Sequence, residues 1–281
     1  MLAGTPSEVV LMAVSLRPAA VAFDAVAPNF DARFEGCLSV AAQRRAVRAA
    51  LLRVFPTHGY VLEVGGGTGI DATFLAERGF KVLLTDASPA MVSLANVKLA
   101  ALGSSTEVVA GEDLDDFASR YLAQGGPQLD GAFSNFAPLN CVVDLAPVAR
   151  GLAQLLKPNA AAMLVLFGTC CPVEMLLETF SGRQRQALRR FKRGAAPARL
   201  AKREFEIVYH RRKEIERVFA PWFTLEKRIG IGVTVPPSAA EPGISAHPSL
   251  LKWMERADRL LARPMAVFGD HVLYQFRRRD Y

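Results

Sequence analysis

The stretch VLEVGGGTGIDATFL, from Val61 to Leu75, decides the fold class of this 281-residue chain. A short apolar run leads directly into a cluster of glycines, and a helical pattern follows. This order places backbone N–H groups and the positive end of a helix dipole beside a ligand. A nicotinamide-binding loop needs a glycine where Ile70 stands, and a P-loop needs a lysine followed by Ser or Thr after Gly69. The spacing present is E-x-G-x-G-x-G, from Glu63 to Gly69.

The region around this stretch alternates short apolar runs with helical patterns. Runs without polar alternation indicate strands buried on both faces, and their alternation with helices predicts an α/β fold with a doubly wound parallel sheet. The predicted strands are Tyr60–Val64, Lys81–Thr85, Thr106–Ala110, Asp130–Asn135 and Ala161–Phe167. The predicted helices between them are Asp71–Arg78, Pro89–Leu102, Leu114–Gln124 and Val142–Leu156.

Further elements are predicted on both sides of this region. Before it, Ser39–Phe55 has the pattern of an amphipathic helix with its arginines on the outer side. After it, Pro172–Phe191 is predicted to be one amphipathic helix whose Leu188 and Phe191 face inward. The other predicted elements are strands Phe205–His210, Leu225–Val235 and Asp270–Phe276, helices Arg212–Phe219 and Leu250–Leu261, and a turn-rich connector, VPPSAAEPGISAHPS.

Composition limits the function classes open to the chain. With 51% hydrophobic and 22% charged residues, it has ordinary globular composition. It has no run of about eighteen uncharged apolar residues and no basic segment before an apolar one, which predicts no membrane span, no signal peptide and a cytoplasmic location. The four cysteines have neither disulfide nor zinc spacing, so no metal site is predicted.

The net charge of +7 is concentrated in one stretch, from Arg183 to Lys213. The favoured interpretation is the solvated face of a helix over the ligand site. Contact with an anionic acceptor or carrier is a second interpretation, and binding to RNA is a third. Nucleic acid is disfavoured, because the chain has no N-P-P-Y-type motif and no recognisable RNA-binding module. It stays open as an alternative partner.

Three further motifs follow the glycine-rich stretch along the chain. The second predicted strand ends in LLTDAS, where Asp86 can accept hydrogen bonds from both hydroxyls of a ribose. The third predicted strand leads into GEDLDDF, where Glu112 or Asp113 can accept a hydrogen bond from the exocyclic amine of an adenine. The fourth ends in DGAFSNFAPLN, at the sheet edge where open α/β folds bind their ligands.

Together these motifs resemble the class I S-adenosylmethionine-dependent methyltransferases, nearest the branch of the ubiquinone and menaquinone C-methyltransferases and many natural-product methyltransferases. The resemblance covers roughly Phe23 to Phe167 and continues more weakly to the C-terminal strand. FDAVAPNFD, which ends at Asp31, is similar to the family's lid, often YDxxAxxYD, with phenylalanine in place of both tyrosines. The resemblance implies a Rossmann-like, mostly parallel seven-stranded sheet with an antiparallel last strand and helical cap insertions.

The resemblance also implies S-adenosylmethionine as the cofactor and S-adenosylhomocysteine as its product. Glu63 and the glycine backbone would surround the methionine part of the cofactor, Asp86 would bind the ribose, and Glu112 or Asp113 the adenine. The full set of implied cofactor-binding residues is Phe23, Phe30, Glu63, Gly65, Gly66, Gly67, Gly69, Asp86, Ala87, Met91, Glu112, Asp113, Leu114, Asn135 and Phe136.

Residues for the methyl acceptor are predicted in the segments that follow strands at the ligand edge. Methyl transfer from a sulfonium needs alignment and exclusion of water, and it needs a base only if the acceptor loses a proton. The candidate bases, each of which can equally be a cap or a structural histidine, are His210, His247 and His271. The candidate substrate contacts, for which capping or a solvated loop charge is the alternative, are Asn140, Tyr209 and Glu241.

The predicted organisation is one α/β core with a cap made from its own insertions. Its segments are a lid and helix at 1–59, a cofactor-binding core at 60–168, a cap insertion at 169–204, a core continuation at 205–235, a second cap segment at 236–266 and a final strand at 267–281. The predicted function is methylation of a small or medium-sized metabolite on oxygen, carbon or nitrogen, by a monomer or homodimer. The alternatives are an RNA or protein methyltransferase docking through the Arg183–Lys213 stretch, and a non-catalytic cofactor-binding homologue.

Overall fold

The computed structural model describes residues 17–280. Its strands are β1 (Tyr60–Val64), β2 (Lys81–Asp86), β3 (Ser105–Val108), β4 (Leu129–Ser134), β5 (Leu156–Phe167), β6 (Ala195–Leu200), β7 (Arg203–Val208), β8 (Phe223–Ile231) and β9 (His271–Arg278). Seven of them form one sheet in the order β3-β2-β1-β4-β5-β9-β8, and β6 pairs with β7 in a separate hairpin.

Helices cover both faces of this sheet and its carboxyl edge. They are α1 (Pro18–Asp24), α2 (Phe30–Phe34), α3 (Leu38–Val54), α4 (Ile70–Ala76), α5 (Pro89–Leu99), α6 (Leu114–Ala123), α7 (Ala146–Leu155), α8 (Pro172–Phe180), α9 (Gln184–Ala187), α10 (Arg212–Phe219), α11 (Glu241–Ala246) and α12 (Pro248–Leu261). None of the helices within residues 17–280 combines the length and apolarity that crossing a membrane requires.

The predicted fold class is confirmed. Strands β1 to β5 pair in parallel, and β9 runs antiparallel to both of its neighbours, β5 and β8. The side chains of alternate residues of β1 point to opposite faces of the sheet, and a doubly wound fold has helices on both faces. Leu62 packs in the core with α6, α7 and α10, whereas Val61 packs in the core with α3, α4 and α5.

The strand predicted over Phe205–His210 does not continue the core sheet. It forms β7, which pairs antiparallel with β6 in the hairpin, and β6 was not predicted at all. The sequence AAPARL of β6 is rich in alanine and contains Pro197, so it has little of the β-branched and aromatic character that marks a strand. The segment predicted as a turn-rich connector also contains an unpredicted helix, α11.

The prediction of one helix over Pro172–Phe191 is wrong in both its extent and its orientation. The segment breaks after α8 into the short helix α9 and a 3-10 turn, Arg189–Phe191. Leu188 and Phe191, predicted to face inward, are exposed, whereas Arg190 is buried. Electrostatics determines this orientation: Arg190 donates to Glu174 at 2.5 Å and to Asp270 at 2.6 Å. These contacts join α8 to the start of β9.

Arg190 also donates to two backbone carbonyls, those of Gly168 and Asp270. Burial alone would raise the pKa of Asp270, but His271 and Arg190 hold that pKa well below its usual range. Burial likewise opposes the charge of Arg190, and Asp270 and Glu174 overcome this effect and raise the pKa of its guanidinium. Arg190 and Asp270 therefore stay ionised inside the protein, and Glu174 completes their hydrogen-bonded set.

Removing Arg190 should destabilise the fold strongly, because it takes the guanidinium away from the buried Asp270 and leaves the buried Glu174 with Arg189 alone. We expect Arg190→Ala to lower the free energy of unfolding by about 3–5 kcal/mol in equilibrium denaturation. The matched control is Arg183→Ala, since Arg183 pairs with Glu178 but is largely exposed, and it should change stability little. Equal losses from both variants would contradict this assignment.

Candidate active site

A cavity of about 900 Å³ lies at the carboxyl ends of the parallel strands. Its floor comes from the turns that follow three neighbouring strands, namely the Gly65–Gly67 turn after β1, Asp86 and Ala87 at the end of β2, and Asn135 and Phe136 after β4. Its roof comes from α1, from Phe30 of α2 and from the β6–β7 hairpin. Open α/β sheets bind ligands at this edge, where the strand order reverses around the first strand.

The turn after β1 is held in a conformation that excludes side chains. Gly65 has a φ of +69°, and a Cβ on it would lie 2.3 Å from the Cβ of Pro138. Gly67 has a φ of +55°, and its N–H donates to Asp86 Oδ2 at 2.8 Å. Glycine is therefore required at position 65 both by the backbone conformation and by the close approach of the loop after β4.

Glu63, the last residue but one of β1, is an unusual group in the cavity wall. It is buried, and its Oε2 has no hydrogen-bond partner among the described residues. Burial raises its pKa well above the usual value, the carboxylate of Asp71 raises it further, and the guanidinium of Arg44 opposes them. A cationic ligand group beside Glu63 would supply the missing partner.

Asp86 is the second carboxylate of the floor, at the end of β2. One of its oxygens accepts from Gly67 N, and the other accepts from Ser88 N at 2.9 Å. Burial raises the pKa of Asp86, and these two N–H groups counteract the rise. Because each carboxylate oxygen has two lone pairs, Asp86 can still accept hydrogen bonds from a ligand.

A third carboxylate, Asp71, is neutralised within the protein. It accepts from Arg44 at 2.8 Å, from Arg48 at 2.7 Å and from the amide of Asn135 at 2.8 Å. Arg44 and Arg48 belong to α3, whose arginines were predicted to lie on its outer side. That prediction is wrong for Arg44, which lines the cavity and lies 4.6 Å from the ring centroid of Phe136.

The loop after β4 is strained where it meets the cavity. Phe136 and Ala137 both have positive φ, at 57° and 63°, which costs a residue with a side chain about 1–3 kcal/mol. The Asn135 side chain stabilises this bend, because its Oδ1 accepts from Phe136 N at 2.9 Å while its amide binds Asp71. Strain of this kind persists where the surrounding structure fixes it, as is typical of ligand sites.

The lid, residues 23–31, is anchored to the core by its two aspartates. Asp24 accepts from the Ser88 hydroxyl and, at 3.0 Å, from Ala90 N at the start of α5. Asp31 accepts from Lys98 Nζ at 2.6 Å and from the Thr68 hydroxyl. The aspartates of FDAVAPNFD thus hold the lid over the cavity.

Arg17, next to the lid, closes the far side of the cavity. Its guanidinium lies 3.1 Å from Glu112 and 2.6 Å from Asp113, the two acidic residues of GEDLDDF considered for adenine. Glu112 lines the cavity, whereas Asp113 does not. Arg17 was not identified from the sequence, because nothing local links it to an acidic pair almost a hundred residues away.

The hairpin completes the roof through aromatic contacts. Phe205 of β7 lies 6.0 Å from the lid residue Phe23, which in turn lies 6.2 Å from Phe30. Just beyond β7, Tyr209 lines the cavity and lies 5.9 Å from Phe167 at the end of β5. The part of the cavity beneath the hairpin is therefore walled by aromatic side chains, of which Phe205 and Phe167 were not predicted from the sequence.

The chain matches the family model described as a methyltransferase domain over residues 40–210, which is more than half of its length. It belongs to this methyltransferase family. No match is found among curated protein sequences. The family model covers the Glu63–Gly69 stretch, Asp86, the GEDLDDF motif and the strained loop after β4, so it spans the floor of the cavity.

Solved methyltransferase structures share this fold. An S-adenosylmethionine-dependent methyltransferase from Mesorhizobium loti has 20% identity and a TM-score of 0.51, over 84% of this chain and 98% of its own. The CcbJ methyltransferase from Streptomyces caelestis has 15% identity and a TM-score of 0.53, over 85% of this chain and 89% of its own. A third structure is the Burkholderia thailandensis 1,6-didemethyltoxoflavin-N1-methyltransferase with bound 1,6-didemethyltoxoflavin and S-adenosylhomocysteine. It has 17% identity and a TM-score of 0.51, over 100% of this chain and 93% of its own.

Most residues that the resemblance assigned to the cofactor line the cavity of this methyltransferase. Gly69, Asp113 and Leu114 do not: Gly69 packs against Ala95 of α5, and Leu114 is buried in the core beside α7. Those that line it are Phe23, Phe30, Glu63, Gly65, Gly66, Gly67, Asp86, Ala87, Met91, Glu112, Asn135 and Phe136.

The three candidate histidines do not line the cavity. His210 is buried with Nε2 2.9 Å from the carbonyl oxygen of Val142, and the exposed His247 lies beside the carbonyl of Gly243. His271 is buried beside Asp270 and stacks on Phe167 with centroids 5.0 Å apart. A base must reach the proton it removes, so the general-base role of these histidines stays a prediction that the lining of the cavity does not support.

Two of the candidate substrate contacts are structural. The Asn140 amide donates to Val208 O at 2.6 Å, and its oxygen accepts from Phe167 N at 2.9 Å, so it joins the hairpin to β5. Glu241 accepts from the N–H groups of Leu38 and Ser39, at 2.6 and 3.0 Å, and caps the start of α3. Neither side chain lines the cavity.

The capping role of Glu241 predicts an acid-dependent loss of stability. Burial would raise its pKa, but hydrogen bonds from Ser39 and Cys37 lower the pKa to about 2, from an ordinary value of 4.5. Because the folded pKa is depressed, the stabilisation is complete above about pH 4.5 and is lost as the pH falls toward about 2.

We therefore expect Glu241→Gln to lower the thermal midpoint at neutral pH and to differ less from the wild type at about pH 2. The matched control is Glu77→Gln, since Glu77 is exposed and has no side-chain hydrogen bond in the described structure. A difference between Glu241→Gln and the wild type that is constant with pH would contradict the capping assignment.

Proposed function

We propose that this methyltransferase transfers a methyl group from S-adenosylmethionine to a small or medium-sized metabolite held beneath the hairpin. The observation that carries the proposal is the unpartnered, buried carboxylate oxygen of Glu63 in the cavity wall. A buried carboxylate without a partner is costly, and an ammonium group at that place would remove the cost.

The cavity offers groups that suit each part of S-adenosylmethionine. Glu63 would accept from the amino group of the methionine part, and the nearby Arg44 would bind its carboxylate. Asp86 would accept from the ribose hydroxyls. Glu112 is favoured over Asp113 for the adenine amine, because Glu112 lines the cavity. When bound, the cofactor supplies an electrophilic methyl group on a sulfonium.

The chain's own contribution to the reaction is alignment and exclusion of water. Phe136 and Phe167 form an apolar wall near the acceptor space, and the anchored lid with its Phe23–Phe205 contact covers it. In-line displacement at a methyl group with a neutral leaving group depends mainly on such positioning. Burial raises the pKa of Tyr209, so its hydroxyl keeps its proton near neutral pH and serves as a donor that orients the acceptor.

The structure favours a metabolite over a macromolecular acceptor. The lid and hairpin cover the cavity with aromatic and aliphatic side chains, which suits a small molecule better than an exposed nucleotide or side chain. Three arginines of the basic stretch are engaged by carboxylates of α8: Arg189 and Arg190 bind Glu174, and Arg183 binds Glu178. They are therefore less available for docking RNA.

Binding of the amino-acid part of the ligand to Glu63 should release a proton. Below its raised pKa, Glu63 is protonated in the free protein, and an ammonium beside it favours the ionised form. We expect calorimetric titration with S-adenosylhomocysteine above the ordinary glutamate pKa of 4.5, in buffers of different ionisation enthalpy, to show net proton release. Glu63→Gln should abolish this release and weaken binding at least about tenfold.

Glu77→Gln serves as the control and should bind with wild-type affinity and proton release, because Glu77 is exposed outside the cavity. Wild-type binding without any linked proton would show that Glu63 does not meet the ammonium group. Absence of binding would overturn the cofactor assignment itself.

The acceptor class can be tested with methyl-labelled S-adenosylmethionine and separate small-molecule, RNA and protein fractions of a cell extract. We expect label in the small-molecule fraction, and we expect Tyr209→Phe to raise the KM for the acceptor while leaving cofactor affinity unchanged. Label in RNA or protein would replace the metabolite proposal with the macromolecular alternative. Cofactor binding with no labelled product in any fraction would favour the non-catalytic alternative.

A further inference from the structure

Helix α12 exposes its large apolar side chains instead of burying them. Trp253 is 69% exposed and Leu260 is 79% exposed, although Leu251 of the same helix is buried against α3 and α11. The acidic residues of α12 lie on the protein side. Asp258 accepts from the N–H groups of Gly232 and Thr234, and Glu255 pairs with Arg45.

The exposed surface of α12 is also uniformly basic. Its free cations, each exposed and without an ion pair among residues 17–280, are Lys252, Arg256, Arg259 and Arg263, the last just beyond the helix. A helix with Trp and Leu on one side, several cations around them and its acids turned inward has the pattern of a segment that lies on a membrane surface.

The segment from α8 to residue 193 repeats this pattern independently. Its acids, Glu174 and Glu178, are buried in ion pairs, whereas Leu176 and Phe180, one helical turn apart, are 58% and 88% exposed. Around them, three exposed basic side chains form no ion pair with another described residue: Arg185, Lys192 and Arg193.

Both segments leave the sheet at the same place. β5 ends at Phe167 and β8 ends at Ile231, and each of these residues is the register partner of His271, the first residue of β9. The two segments therefore begin from strands on either side of β9, at the carboxyl edge of the sheet where the cavity lies. Arg189 links the α8–193 segment to the cavity, since it binds Glu174 of α8 and lines the cavity.

We propose that α12 and the α8–193 segment bind the surface of an anionic phospholipid bilayer. Trp253, Leu260 and Phe180 would enter the headgroup and upper acyl region, and the unpaired cations would meet lipid phosphates. This inference concerns where the protein docks and goes beyond the methyl-transfer chemistry.

The charge pattern favours a lipid surface over a second copy of the chain. In a symmetric dimer the same patch faces itself, so a basic rim would meet a basic rim and repel. RNA would satisfy the cations and stack its bases on Trp253 and Phe180, but it gives no reason for the exposed aliphatic side chains of Leu176 and Leu260. An anionic bilayer satisfies both the cations and the apolar side chains.

The test is co-sedimentation of the full chain with vesicles of phosphatidylcholine alone and with about 30% phosphatidylglycerol. We expect binding to the anionic vesicles, much weaker binding to the neutral ones, and loss at high salt. The double variant Trp253→Ser/Leu260→Ser and, separately, Phe180→Ser should each reduce partitioning at least about tenfold. Arg256→Gln should reduce it about fivefold on anionic vesicles only.

The control is Val97→Ser, since Val97 is 78% exposed on α5, outside both segments, and it should bind vesicles like the wild type. Thermal melting of each variant checks that the fold is intact. The proposal is overturned if wild-type protein fails to bind anionic vesicles, or if it binds RNA instead. It is also overturned if the protein does not bind vesicles and sedimentation equilibrium instead shows a dimer. In that case the double variant Trp253→Ser/Leu260→Ser would be monomeric.

Discussion

The cavity of this protein is organised around one electrostatic constraint, a buried carboxylate with one oxygen that none of the described residues satisfies. Glu63 and Asp71 are both buried in the cavity wall, but only Asp71 receives two guanidinium groups and an amide. The Oε2 of Glu63 has no partner among residues 17–280. This asymmetry determines where a ligand cation would bind. Asp71, whose charge is already compensated, attracts a cation far less than Glu63 does. The glycine turn beside Glu63 then supplies the bare backbone that lets a ligand approach it.

Closure of the cavity depends on contacts made by the lid with two different parts of the chain. Asp24 and Asp31 fix the lid to the start of α5 and to the glycine loop, through charge-assisted hydrogen bonds. Phe23 and Phe205 join it to the hairpin through apolar contact, which is weaker and less directional.

The sequence predicts the α/β sheet well because its signals are local. β1, the Ser88 cap of α5 and the glycine turn depend on neighbouring residues, and they form as the local pattern indicates. The roles that the local pattern does not reveal depend on distant partners. Glu241 caps α3 across two hundred residues, and Arg17 binds a pair of acids nearly a hundred residues away, so neither role has a local signal. The histidines were assigned from topology, which fixes the edge of the sheet they occupy but not the direction of a side chain.

The reversed cap helix shows why periodicity alone does not orient a surface element. An amphipathic pattern states that two faces differ, and the usual inference that the apolar face is buried assumes that no strong charge lies beneath it. Here Arg190 and Asp270 lie beneath α8, and their burial requires a second carboxylate, which Glu174 supplies. Once Glu174 and Glu178 point inward, Leu176 and Phe180 must point outward, because residues on opposite sides of a helix cannot both face the protein. An ion-pair network that holds the cap in place thus leaves the apolar side chains of α8 exposed.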